Sequence, residues 1–166
     1  MNNTQQLLGY KGKVKATVIK NGVKVGSVSG HNSGEYNLFR FMCDCLKGDY
    51  DSRFRPFYIK SDHVKNPTTD NPAFDSPETP ITQYVVQDIN NIPTTIFQAN
   101  LKYVNTKNGK VNVLGLYSYN KRKMATINID EIEIENDSSY TIIVQWYLSI
   151  VNVKEQNIPQ NPQEGN

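Results

Sequence analysis

Residues 140 to 151 constrain the fold more than any other stretch of this chain. Tyr140, Ile142, Val144, Trp146, Leu148 and Ile150 fall on one face of an extended backbone, and Thr141, Ile143, Gln145, Tyr147, Ser149 and Val151 on the other. Successive side chains of a strand point to opposite sides, so an alternation this long predicts a central strand with at least one face deep in a core. A chain of 166 residues has room for one domain around that strand, and two would be cramped.

Shorter alternating runs surround it. From Lys13, Val14, Ala16 and Val18 share a face until Asn21-Gly22, a doublet that tolerates the positive φ of a two-residue hairpin turn. Val23, Val25 and Val28 predict the return strand. Further strands are expected at Phe57 to Ser61, Ile81 to Gln87 and Thr94 to Val104, where Thr95, Phe97, Ala99, Leu101 and Tyr103 share a face. Asn108-Gly109 predicts a second hairpin turn leading to Val111 and Val113. In residues 125 to 135, Ile127 and Ile129 differ in parity from Ile132 and Ile134, so a bulge is expected at Asp130-Glu131.

One segment is helical. Asn32 and Glu35 form a capping-box-like start, Leu38, Phe41, Met42, Cys45 and Leu46 recur at helical spacing, and Gly48 ends the run. The pattern predicts a helix over 34–47 with Leu38, Met42, Cys45 and Leu46 packed on a sheet. Seven or eight strands and one helix read as mainly β: an antiparallel β-sandwich, jelly-roll-like or immunoglobulin-like, with one short α-helix over an end or edge. Residues 1–12 are expected as an N-terminal arm, 13–153 as the domain, and 154–166 as a polar tail. Residues 62–80 hold four prolines and predict a surface loop that reaches a neighbour.

Candidate chemistry is sparse. His31 and Ser33 lack a third group to orient them as base and nucleophile, and His31 with Asn32 is expected to fix the corner before the helix. Asp44, Asp49 and Asp51 lack the spacing of a calcium loop. Cys43 and Cys45, two residues apart on a helix, point away from each other; Cys45 is expected in the core and Cys43 at its edge. Such cysteine usage fits synthesis in a reducing cytoplasm. Lys121-Arg122-Lys123 reads as a polar turn rather than a phosphate site. Trp146 reads as a core residue rather than a sugar platform. No enzyme activity, cofactor or metal is expected.

No apolar run is long enough to span a bilayer, and residues 1–13 do not read as a signal peptide. The net charge of +2 argues against a dedicated nucleic-acid binder. Its distribution is uneven: residues 11–24 hold five lysines and no acid, and residues 130–137 five acids and no base. A head-to-tail interface could match the two patches, with Lys13, Lys15 and Lys24 facing Glu131, Glu133 and Glu135 of the next copy.

Several segments stand out together: G-K-V-x-A-T-V-x-K-N-G at 12–22, His31-Asn32-Ser33-Gly34, Leu38-Phe39-x-Phe41, Cys45-Leu46-x-Gly48-x-Tyr50, Arg55-Pro56, and Val144-Gln145-Trp146-Tyr147-Leu148. In this order they resemble small virion proteins of short-tailed, crAss-like bacteriophages. The resemblance implies a multi-copy structural subunit of the virion, made in the host bacterial cytoplasm and built into a ring of the head-to-tail connector or tail. Its partners would be copies of itself and other virion proteins, with no membrane and no specific nucleic acid. A capsid decoration protein or a carbohydrate-binding receptor module with a glycan partner are the alternatives.

Overall fold

The computed structural model describes residues 7–34, 36–48, 51–61, 78–104, 109–135 and 139–153. Among them the chain is mainly β, with nine strands: β1 (Leu7–Lys20), β2 (Val23–Gly34), β3 (Pro56–Ser61), β4 (Thr79–Pro80), β5 (Gln83–Ile89), β6 (Ile92–Val104), β7 (Gly109–Ser118), β8 (Lys123–Ile134) and β9 (Ser139–Val153). A helix α1 (Tyr36–Lys47) and a short 3₁₀ turn (Ser52–Phe54) lie between β2 and β3.

The strands form one antiparallel ladder, in the order β4-β3-β7-β8-β2-β1-β9-β6-β5. It divides into two leaves. β2 runs along β1 from Val23 to Asn32, and meets β8 only where Asn32, Ser33 and Gly34 pair with Ile127, Thr126 and Ala125. On one side of that seam lie β2-β1-β9-β6-β5, and on the other β8-β7-β3-β4. The buried side chains of both leaves, among them Val14, Trp146 and Leu101 on the first and Ile59, Leu116 and Ile127 on the second, make one core. This is the antiparallel β-sandwich that the alternation predicts.

β9 is the central element. It pairs with β1 from Leu7↔Val153 to Lys20↔Tyr140 and with β6 from Thr94↔Ser149 to Val104↔Ser139. Tyr140, Ile142, Val144 and Trp146 are buried, and Trp146 is fully so. The apolar face does not stay buried to its end, since Ile150 is 49% exposed. Because β9 offers so long a partner, β1 begins at Leu7, and residues 7–12, expected in the arm, belong to the sheet.

Asn21 and Gly22 have φ of 49° and 80°, as the hairpin turn requires. A bulge between Val18 and Ile19 then shifts the register of β2, leaving Val23 and Val25 exposed. In β8 the expected slip is present: Val111 pairs with Ile132 but Val113 with Asn128, which lets Ile127, Ile129, Ile132 and Ile134 all be buried.

Several expectations are corrected. β6 and β7 lie in different leaves and do not pair, so Asn108-Gly109 closes no β6–β7 ladder; residues 105–108 lie outside the described residues. The second two-residue hairpin is instead at Asn90-Asn91, with φ of 52° and 61°, between Ile89 and Ile92. Asn32 is a ladder residue rather than a helix cap, because β2 continues to Gly34; Glu35 is outside the described residues. Gly48 does end α1, with φ of 86° and its N–H donating to the Cys45 carbonyl. Leu38 is fully buried, and Phe41 and Met42 pack on the core. Cys45, expected in the core, is exposed like Cys43. The apolar stripe of α1 is covered over less of its length than its spacing suggests: Leu38 is fully buried, whereas Cys45, two turns on, borders an open groove. The Leu46 side chain and residues 62–77 fall outside the described residues.

Candidate functional site

β5 forms one margin of the described ladder, paired with β6 alone. Its sequence, Gln-Tyr-Val-Val-Gln-Asp-Ile, has one charge, Asp88, and no proline. Tyr84, Val85 and Val86 are 46%, 44% and 74% exposed. Sheet edges are ordinarily protected by charge, proline, bulges or shortness. Pairing with β6 is regular from Gln83 to Ile89. The irregularity lies just before it, where the Thr82 N–H donates 2.8 Å to the Gln98 carbonyl.

The inner face of this margin continues into an apolar groove of about 450 Å³ between α1 and the sheet. Phe41, Met42 and Cys45 line one wall; Tyr84, Val86 and Ile150 line the other. Arg55 stands at the rim, its guanidinium 5.3 Å from the Phe57 ring centre and 5.9 Å from that of Tyr84. The Tyr84 hydroxyl donates 3.0 Å to the Pro56 carbonyl, bracing β5 against the other leaf. Desolvation pushes the Cys45 thiol above its ordinary pKa, and the Asp44 carboxylate beside it adds to the effect.

The outer face of the same leaf carries the lysines. Lys13 stands in register between His31 and Tyr147, and Lys15 between Ser29 and Gln145. With Lys11, Thr94, Ser149 and the Asn90 turn they border a shallow, open groove. His31 is thus a strand residue rather than a corner residue. Lys24 is elsewhere: it pairs with Ile19, six positions along β1 from Lys13, or about 20 Å at strand spacing.

The acids belong to the other leaf, Glu131 and Glu133 on β8 and Glu135 just past its end. All three are exposed, alternating with buried Ile132 and Ile134. They have partners within the chain. Lys110 is 2.7 Å from Glu131 and 3.9 Å from Glu133, and Lys20 bonds Glu135. These contacts raise the pKa of both lysines, chiefly through the hydrogen bonds to Glu131 and Glu135. The lysine hairpin and the acid strand therefore already meet once inside the subunit, at Lys20–Glu135.

The remaining candidates disperse. Asp44 pairs with Arg40 at 3.0 Å and Asp51 with Arg53 at 2.8 Å, which lowers the Asp51 pKa; Asp49 is outside the described residues. Lys121 pairs with Glu78, Arg122 lies over the Phe54 ring and Lys123 over Tyr117. Among the described residues no cluster of three or more His, Cys, Asp or Glu could hold a metal ion. No helix among them is long and apolar enough to cross a membrane. No family model, curated protein or solved structure matches this chain.

Sequence reasoning missed the β5 margin. Its signal was present in Tyr84-Val85-Val86 flanked by glutamines, but exposure depends on the strand's place in the sheet, which the run itself does not encode.

Proposed function

We propose that this chain is a structural subunit of a bacteriophage virion, present in several copies, and that it forms part of a ring in the head-to-tail connector or tail without catalysing a reaction. The observation that carries the structural half of this reading is the β5 margin. A strand at the margin of the described ladder with three consecutive exposed apolar or aromatic residues suits a surface covered by other protein, and it adjoins an apolar groove. The virion half rests on the resemblance of the segments at 12–22, 31–34, 38–41, 45–50, 55–56 and 144–148 to small phage structural proteins.

A receptor module that binds glycans would have to use tyrosine-rich loops, because Trp146 is fully buried. Contact between Lys13, Lys15 and Lys24 of one copy and Glu131, Glu133 and Glu135 of the next remains part of the proposal. It would compete with Lys110 and Lys20 for the same carboxylates. Electron microscopy of particles bearing a tagged chain tests the reading. Label on a ring at the portal vertex or tail supports it; label spread over the capsid surface points to decoration, and label absent from particles overturns the virion role.

A further inference from the structure

We infer that the outer face of the β2-β1-β9-β6-β5 leaf binds single-stranded nucleic acid without regard to sequence, with phosphates along the lysine row of β1 and a base stacked on Tyr147. This goes beyond the structural role proposed above and does not depend on it.

Charge is sorted between the two sides of this leaf. Its five strands carry six lysines and one acid. The acid, Asp88, stands opposite Pro93 and so lies on the side of the apolar groove. Of the lysines, Lys20 is committed to a carboxylate, that of Glu135. Val14, Ala16 and Val18 turn inward, so the alternate residues Lys11, Lys13 and Lys15 form one outer row, about 14 Å from first to last at strand spacing. Further along β1, Lys24, Ile19, Thr141 and Lys102 lie in register across the leaf and add a cation at each end of that rank. All five of these lysines are exposed, and none makes an ion pair with a described residue. The net charge of +2 does not reveal this face, because the acids are gathered on other surfaces. With no carboxylate of its own among the described residues, the face is complementary to a polyanion.

The rest of the face favours a nucleic-acid strand over an acidic protein. Protein interfaces are built around an apolar or aromatic core. Here the positions in register with the lysines are hydroxyls and amides, Ser149 and Thr94 beside Lys11, Gln145 and Gln98 beside Lys15. Tyr147 stands beside Lys13 and is half-buried. Its hydroxyl donates 3.2 Å to Gln145 Oε1, and Gln145 Nε2 donates 3.1 Å to Gln98 Oε1. The ring is therefore held in place within the basic row. A single strand suits such a surface, since its phosphates repeat with every nucleotide and each base has a face that stacks on an aromatic ring. A duplex hides those faces and is read by a helix or a two-stranded ribbon entering a groove, and a sheet face supplies neither. The head-to-tail contact proposed above would occupy Lys13, Lys15 and Lys24, so Lys11, Lys102 and Tyr147 are the positions that separate the two.

Fluorescence anisotropy of the full chain with a labelled oligothymidylate should show binding at low salt. The affinity should fall with salt at a log–log slope of about −2 to −3, as about three or four neutralised phosphates require. A Lys11→Gln, Lys102→Gln double variant should bind more weakly with a slope shallower by about 1. Both lysines are exposed and unpaired among the described residues, so this variant should melt as the wild type does. Lys60→Gln, on β3 of the other leaf, removes the same kind of charge and should leave binding unchanged. Tyr147→Ala should weaken oligothymidylate at least about fivefold and leave an abasic deoxyribose-phosphate chain of equal length bound as before, a difference that a folding defect would not produce. No binding at low salt, an unchanged slope in the double variant, or an equal loss in Lys60→Gln would overturn the inference. So would heparin or the abasic chain bound as tightly as oligothymidylate, which would assign the face to an anionic polysaccharide or to polyanions at large. A chain that binds no oligonucleotide yet labels portal rings would leave the structural role standing and remove only this site.

Discussion

Leu38 is the residue through which α1 is fixed to the sandwich. It is fully buried, and Asn37 beside it donates 2.7 Å to the Lys123 carbonyl. Leu38→Ala should cost about 2–5 kcal/mol, read as a lower denaturation midpoint at unchanged slope. Cys45, two turns further along α1 on the groove wall, reports on the groove instead. Desolvation and Asp44 both disfavour its thiolate, so its alkylation at neutral pH should be slow and should accelerate as pH rises. Asp44→Asn removes one of those two causes and should quicken the reaction at fixed pH, as followed by mass spectrometry of the Cys45 peptide. At this scale the sequence was legible for Leu38, Trp146, Ile132 and Ile134. It misled for Cys45, because helical spacing says which residues share a face and not how wide a strip of that face a neighbour covers.

Among the elements, the seam between β2 and β8 decides whether one ladder can become two leaves. Gly30, on β2 beside this seam, sits where an added Cβ would clash with the Asn128 carbonyl oxygen, a backbone atom that cannot rotate aside. Gly30→Ala should therefore force the leaves apart locally and destabilise the fold by about 1–3 kcal/mol, measured by denaturant melting. Gly26→Ala on the same strand, with no atom within 4 Å of its added Cβ, is the control and should be far milder. Strand existence was legible from alternation, and the β8 bulge from the parity of four isoleucines. Strand order was not. Asn108-Gly109 is a strong local turn signal, yet β6 goes to β9 and β7 to β8, because pairing is selected by burial against distant strands. Asn90-Asn91 makes a two-residue turn between β5 and β6 that the sequence reading did not single out, since asparagine also tolerates positive φ.

For the whole molecule, the two leaves carry different surfaces. Lys11, Lys13 and Lys15 lie on the outer side of the leaf that ends in β5, and Glu131 and Glu133 are engaged by Lys110 on the other. Exposed ion pairs contribute only about 0–1 kcal/mol each, so any match between copies should govern rate and register more than affinity. Changing Lys13, Lys15 and Lys24 to Glu should slow assembly at low salt, followed by light scattering, and changing Glu131, Glu133 and Glu135 to Lys in the same chain should restore it. Assembly at the wild-type rate in the lysine variant would show that these charges are solvated faces. A structural component, unlike a factor that acts and departs, must be found in the finished particle. Quantitative mass spectrometry of gradient-purified phage particles therefore decides the matter. Several copies per particle, retained through high-salt washing at constant stoichiometry to the other structural proteins, are expected; a chain abundant in infected cells but missing from the particles would contradict the structural role.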